Sequence, residues 1–295
     1  MPTESRSEPV RVDVRKTCKL FINGAFPRSE SGRTYVVADS RGRFLANAAL
    51  GSRKDARDAV LAARAAQPRW WGATAYNRGQ VLYRVAEILE GRREQFIDEV
   101  SRGEGITRAR AAAQVAESID RWVYYAGFAD KVSQVLGSAN AVAGPYFNLS
   151  VPEPNGVMAL IAPERPSLLG LVAITAPALA AGNACVIVAS QAHPLPAIGL
   201  SEVLATSDVP GGVVNILTGS ASEIGPWLAG HRDVDALDLT GVADAALATD
   251  LVQRAAGSVT RVRLADPAED LTRVPGLGRL RFTCQVKTVW HPIGT

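Results

Sequence analysis

The chain has 295 residues, 47% hydrophobic and 21% charged, a balance typical of a globular protein that buries a sizeable core. Its formal net charge of +3 arises from 32 basic and 29 acidic residues, and the arginines are scattered, which argues against a nucleic-acid-binding protein. Three cysteines without metal-ligand spacing indicate a reducing compartment, so we expect a cytoplasmic protein without a metal site.

Two segments bear on membrane targeting. Residues 1–16 are polar and charged, lack the apolar core of a signal peptide, and are predicted to be a disordered tail. The stretch 168–189 is almost wholly apolar, but Pro177 and the turn at Gly182-Asn183 interrupt it. A transmembrane helix needs roughly 20 uninterrupted apolar residues. A buried helix followed by a buried strand explains this stretch better, so we expect no membrane partner.

The first half of the chain changes from strand-like to helical periodicity. Asn23-Gly24 predicts a hairpin turn within the apolar segment 19–26. Short strands are expected at 35–37 and 44–50. Residues 52–55 resemble a helix-capping box, and Pro68 is predicted to end the helix that starts there. Three further helices are predicted at 77–90, 94–101 and 107–134.

Apolar strands alternate with helices in the second half of the chain. The strands are predicted at 157–162, 184–188, 213–217, 236–239 and 259–264. The helices between them are predicted at 167–181, 196–205, 222–229 and 243–256. This alternation predicts an α/β fold with a doubly wound, Rossmann-like parallel sheet of five strands, beside the N-terminal helices.

The residues after 264 break the alternation. Residues 266–278 are rich in proline, glycine and acidic residues and are interpreted as a linker. Residues 279–290 alternate as one long strand, with Leu280, Phe282, Cys284 and Val286 on one face. A bare apolar edge strand invites aggregation, so we expect this strand to pair with the strand around Phe147 or with another subunit.

Several motifs in these segments resemble those of aldehyde dehydrogenases. The most specific are Ala176-Pro-Ala-Leu-Ala-Ala-Gly-Asn183, the segment Val209–Gly219, and Asp233-Val-Asp235 followed by Thr240-Gly241. The final Lys287-Thr-Val-Trp290 is similar to the family's C-terminal oligomerisation strand. The resemblance implies an NAD-binding domain over 17–266, a linker over 267–278 where the family has its catalytic domain, and a strand in an antiparallel oligomerisation sheet over 279–295.

The residues to which the resemblance assigns catalysis are replaced. No cysteine lies in the family's G-Q-x-C loop, and the P-W-N motif, whose Asn stabilises the oxyanion, aligns with Pro163-Glu164-Arg165. The family's general-base glutamate aligns with Arg263, which cannot accept a proton at neutral pH. Loss of nucleophile, oxyanion donor and base together removes the route to acyl-enzyme chemistry. We therefore assign no catalytic residue.

The cofactor positions that the resemblance implies are Ser190, Gln191, Gly219 and Gly241. The family lysine that holds the adenosine ribose aligns with Val188, which donates no hydrogen bond. The pyrophosphate turn carries Val242 and Asp244, and a carboxylate there opposes an anion at the helix end. We expect the four positions to be vestigial and NAD(P) to bind weakly if it binds.

Three functions are compatible with this sequence. The chain is interpreted first as an inactive structural or regulatory subunit, which forms a homo-oligomer or a hetero-oligomer with a complete aldehyde dehydrogenase. The resemblance also allows an oxidoreductase that acts on aldehydes with NAD(P). A third reading is a small-ligand binding module in the old cofactor crevice, with Glu164, Arg165 and Arg263 as its polar groups. A salt-bridged plug in a dead site is the plainer explanation of those three residues.

Overall fold

The described chain opens with a small sheet. The computed structural model describes residues 15–294, so most of the predicted tail lies outside the described residues. Strands β1 (Thr17–Cys18), β2 (Thr34–Ala38) and β3 (Phe44–Ala49) form a sheet in the order β1-β3-β2. The turn predicted at Asn23-Gly24 is confirmed: both residues have positive φ, and Ile22 and Ala25 exchange backbone hydrogen bonds of 3.0 Å.

Helices follow: α1 (Arg53–Gly72), α2 (Ala75–Gly91), α3 (Arg93–Glu104), α4 (Arg108–Phe128) and the short α5 (Val132–Leu136). Ser52 and Asp55 form the predicted capping box of α1. The prediction that Pro68 ends α1 is wrong. The last turn stays helical because Trp70 is buried and its indole Nε1 donates to the Leu179 carbonyl at 3.1 Å. The helix predicted to reach residue 134 stops at Phe128, where the Lys131 ammonium donates to the Gly127 carbonyl.

The predicted five-stranded parallel sheet is confirmed. After β4 (Ser138–Asn140) and β5 (Tyr146–Pro154), the chain runs through β6 (Val157–Ile161), α6 (Ser167–Ala180), β7 (Ala184–Val188), α7 (Leu195–Ala205), β8 (Val214–Leu217), α8 (Ala221–Ala229), β9 (Ala236–Asp238), α9 (Ala245–Ala256) and β10 (Arg261–Arg263). The strand order is β10-β9-β6-β7-β8. Buried apolar side chains cover both faces of this sheet, which explains the continuous apolar runs in its strands.

The C-terminal segment differs from the prediction of one long strand over 279–290. Leu277–Phe282 forms a short helix, α10, and the strand β11 spans Cys284–Pro292. Leu277 and Leu280 pack against the core at helical spacing, and buried Arg279 pairs with Asp238, so these residues gain more as a helix than as an exposed strand.

The predicted partner of the C-terminal strand is confirmed. Strand β11 pairs antiparallel with β5 over its whole length, with His291 opposite Phe147, and β4 lies on the other side of β5. The resulting sheet has the order β11-β5-β4, so β11 is an edge strand. Within residues 15–294, no helix is long and apolar enough to cross a membrane.

Candidate cofactor crevice and the residues that close it

The candidate crevice lies at the carboxyl edge of the parallel sheet. The chain leaves β6 towards β7 and β8 on one side, and then crosses to β9 and β10 on the other. This change of direction makes the space between the ends of β6 and β9 the usual ligand position in a doubly wound sheet. All four predicted cofactor positions follow carboxyl ends of strands: Ser190 and Gln191 after β7, Gly219 after β8, and Gly241 after β9.

The carboxylate of Glu164 lies across the loop that contains Ser190 and Gln191. It accepts hydrogen bonds from the Ser190 hydroxyl at 2.5 Å and from the backbone N–H groups of Gln191 and Ala192 at 3.1 and 3.0 Å. Glu164 is exposed, whereas Ser190 is buried. The donors that this loop could offer a ligand hydroxyl are therefore already used within the chain.

The two predicted glycine positions are explained by packing. The Gly241 N–H donates to the Ile161 carbonyl at 2.9 Å, and a Cβ at Gly241 would lie 2.1 Å from the Ala162 carbonyl oxygen. Gly219 has φ of +135°, a conformation that L side chains rarely adopt. Both positions require glycine whether or not a cofactor binds.

Glu164, Arg165 and Arg263, the polar groups of the ligand-module alternative, form separate contacts. Arg165 Nε donates to His193 Nε2 at 3.0 Å, and burial together with the Arg165 charge lowers the pKa of His193. Both carboxylate oxygens of Glu269 accept from Arg263 Nη2 at 3.2 Å, on the side of β9 and β10. This arrangement agrees better with the salt-bridged plug than with one ligand site shared by the three residues.

Sequence reasoning missed a buried ion cluster beside Arg263. Arg279, whose side chain is 7% exposed, donates to Asp238 at 3.3 Å and to Glu269 at 2.5 Å. Asp238 also accepts from the Thr240 hydroxyl and N–H. No local motif indicates these pairs, since Asp238 and Arg279 are 41 positions apart in the chain.

The segment 266–276, which we call the strap, is fastened to the helical layer. The buried Arg121 guanidinium on α4 donates to the carbonyls of Leu271 and Arg273 at 2.9 and 3.0 Å. The Tyr124 hydroxyl donates to the Pro275 carbonyl at 3.1 Å. The segment interpreted as a linker therefore contacts both the sheet and the helices. It lines a cavity of about 220 Å³.

All three cysteines are buried. Cys18, Cys185 and Cys284 are 3%, 0% and 4% exposed, and burial raises the pKa of each thiol. The nucleophile of a thiol enzyme is the thiolate, which needs access to the substrate and a lowered pKa. None of these thiols meets either requirement. Within the described range, no group of three or more His, Cys, Asp or Glu residues could hold a metal ion.

This chain is similar in sequence to aldehyde dehydrogenases. The model of the aldehyde dehydrogenase family matches residues 26–271. Cytosolic 10-formyltetrahydrofolate dehydrogenase of Xenopus tropicalis is 36% identical over 230 residues, which cover 76% of this chain and 25% of that protein. Hydroxyisobutyraldehyde dehydrogenase of Mycolicibacterium austroafricanum is 34% identical over 226 residues, which cover 75% of this chain and 44% of that protein.

A solved structure gives the same picture. Betaine aldehyde dehydrogenase of Staphylococcus aureus in complex with NAD+ superposes with a TM-score of 0.78 at 28% identity. The superposition covers 83% of this chain and 49% of that chain. This chain thus spans between a quarter and a half of the length of these relatives.

Proposed function

This chain belongs to the aldehyde dehydrogenase family, and we propose that it is a catalytically inactive structural or regulatory subunit within it. The observation that carries the proposal is the position of Glu164. Its carboxylate uses the donors of Ser190, Gln191 and Ala192, in the loop where the family resemblance expects the adenosine ribose. These residues do not fit NAD(P) in the manner that the resemblance implies.

The surroundings of the crevice support the same proposal. Arg263 stands where the resemblance expects the general base, and its guanidinium is already paired with Glu269. The three thiols are buried and protonated at neutral pH. The cysteine nucleophile and the glutamate base that the resemblance expects are therefore not found in the described crevice, and the strap lies at the point of the chain where the resemblance expects the catalytic domain.

The association role rests on the β11-β5-β4 sheet. Among the described strands, β11 pairs on one side only, so its outer edge can accept another strand. Exposed apolar side chains lie on β5 and β11: Tyr146, Phe147, Val286, Val289 and Trp290. An exposed aromatic and aliphatic set beside an unpaired strand edge favours a second protein chain as partner. We propose a second copy of this chain or a complete aldehyde dehydrogenase, in the cytoplasm.

An oxidoreductase that acts on aldehydes with NAD(P) is the second candidate. It is favoured by the names of the relatives, which are dehydrogenases, and by the NAD+ complex of the structural neighbour. If it is correct, the Glu164 carboxylate must leave the Ser190 loop when the cofactor binds.

Calorimetric titration of NAD+ into the purified chain, beside an assay of NADH formation with several aldehydes, separates the two candidates. The inactive-subunit proposal predicts no NADH formation and weak or undetectable NAD+ binding in the wild type. It predicts tighter NAD+ binding in Glu164→Ala, where the loop donors become free, and no change in the control Glu87→Ala, at an exposed glutamate of α2 that pairs with Arg84. Aldehyde-dependent NADH formation by the wild type would establish the oxidoreductase instead.

A further inference from the structure

A groove with cationic and aromatic walls lies between α1, α8 and the C-terminal end of α9. It is lined by Arg53, Arg57, Trp227, His231 and Arg254, together with small and apolar neighbours. Its volume is about 420 Å³, which is within the range of small-molecule sites. None of the four predicted cofactor positions lines it.

The aromatic wall is Trp227. Its side chain is 44% exposed although Ile224 and Leu228 of the same helix are buried. The Arg53 guanidinium stacks on the indole at 4.0 Å from the ring centroid. Among the described residues, no carboxylate lies within ion-pair distance of Arg53. A planar pair of this kind favours a further flat, electron-rich ring.

The remaining polar wall consists of hydrogen-bond donors. Arg57 pairs with Asp58 at 2.8 Å and Arg254 pairs with Asp250 at 2.8 Å, and neither aspartate lines the groove. His231 Nδ1 accepts the Asp233 N–H at 3.1 Å, which leaves Nε2 as the donor atom of this imidazole. Three guanidinium groups and one imidazole line the groove without a carboxylate, which favours an anionic acceptor.

We infer that this groove binds a nucleoside monophosphate, with the base against the Arg53–Trp227 pair and the phosphate between Arg57 and Arg254. A guanidinium matches a phosphate through paired N–H donors, and a base supplies the flat ring that the indole favours. The inference is independent of the proposed association role, because the groove lies outside the β11-β5-β4 sheet.

Calorimetric titration of the full chain with adenosine monophosphate tests the inference, with adenosine and inorganic phosphate as partial ligands. We expect saturable binding of the monophosphate, with a Kd at least about tenfold below that of either partial ligand. Arg254→Gln and Trp227→Leu should each raise the Kd by about tenfold or more. Arg102→Gln is the matched control, because Arg102 pairs with Asp98 on its own helix in the same i,i+4 geometry, and its side chain is 54% exposed against 48% for Arg254.

Three outcomes would overturn the inference. The first is a monophosphate that binds no more tightly than phosphate alone, which would indicate a general anion patch. The second is Arg254→Gln with the same Kd as Arg102→Gln. The third is binding of an acidic polypeptide such as polyglutamate while the monophosphate shows none, which would assign the groove to an acidic protein partner. Circular dichroism of each variant separates loss of binding from loss of fold.

Discussion

The three buried thiols limit the covalent chemistry of this chain. Burial raises the pKa of Cys18, Cys185 and Cys284, so each is a protonated thiol at pH 7 to 8. We predict that the native chain shows no fast reaction of any cysteine with a thiol reagent such as DTNB at pH 8. All three should react after unfolding in guanidinium. One cysteine that reacts within seconds in the native chain would contradict the proposal that none of the three thiols serves as a nucleophile.

Glu99 makes the stability of the chain depend on pH. Burial raises its pKa to about 7, although Gln95 Nε2 donates to one carboxylate oxygen at 2.8 Å. The other oxygen is buried without a hydrogen-bond partner among the described residues. A carboxyl group whose folded pKa is raised stabilises the fold while it is protonated, and this contribution is lost as the pH rises towards 7 and above.

The expected effect appears in Glu99→Gln, which is neutral at every pH. Urea titration gives the free energy of unfolding of the variant and of the wild type at pH 5 and at pH 8. The difference, variant minus wild type, should be about 1–3 kcal/mol larger at pH 8 than at pH 5. Asp98→Asn is the control, since Asp98 is exposed and paired with Arg102. Equal differences at the two pH values would show that Glu99 is charged in the folded chain at pH 5 as well.

Some residues of the candidate site could be predicted from the sequence motifs, whereas their tertiary contacts could not. It placed Ser190 and Gln191 at the carboxyl edge of the sheet, because the flanking apolar strand and turn mark that position. The bond from Ser190 to Glu164 was not predictable from spacing, since it depends on how the loops after β6 and β7 meet. The Arg279–Asp238 pair was missed for the same reason.

At the scale of elements, the strap is held by few contacts. Arg121→Met removes the donors to the Leu271 and Arg273 carbonyls, and each lost charged hydrogen bond costs about 1.5–3 kcal/mol. The strap should then open more often, and trypsin should cleave after the exposed Arg273 about tenfold faster or more. Mass spectrometry of timed digests measures this.

Arg108→Met is the control for the strap, because Arg108 is exposed on the same helix and pairs with Glu94. If Arg121→Met and Arg108→Met are cleaved after Arg273 at the same rate, the Arg121 contacts do not hold the strap. If both resemble the wild type, the remaining contacts, which include those of Arg263, Arg279 and Tyr124, are sufficient to hold the strap.

An element was predicted correctly where several sequence patterns agreed on it, and wrongly where two patterns conflicted. The five parallel strands were predictable because continuous apolar runs, turn residues and helical periodicity agree there. The segment 277–290 carries two conflicting patterns: alternation from Leu280 to Val286, and the helical spacing of Leu277 and Leu280. The helix forms because the Arg279–Asp238 pair and the burial of Leu280 act on that turn, and both are tertiary contacts.

At the scale of the whole molecule, the donors of the crevice are paired within the chain, whereas one edge of the β11-β5-β4 sheet is unpaired among the described strands. Glu164 accepts from the Ser190 loop and Glu269 pairs with Arg263, whereas Trp290 and the apolar side chains around it are exposed. This contrast is the basis of the association role. The exposed Trp290 ring packs edge-on against Tyr146 at 5.7 Å, so substitution there alters the surface without opening the core.

Native mass spectrometry of the chain, alone and co-expressed with a complete aldehyde dehydrogenase from the same source, tests this role most directly. We expect the wild type to form a homo-oligomer or a mixed assembly, and Trp290→Asp to dissociate to monomers. The control Trp227→Asp, also at an exposed tryptophan but outside the sheet, should assemble as the wild type does. A wild-type chain that is monomeric alone and remains free of the complete enzyme would contradict the account.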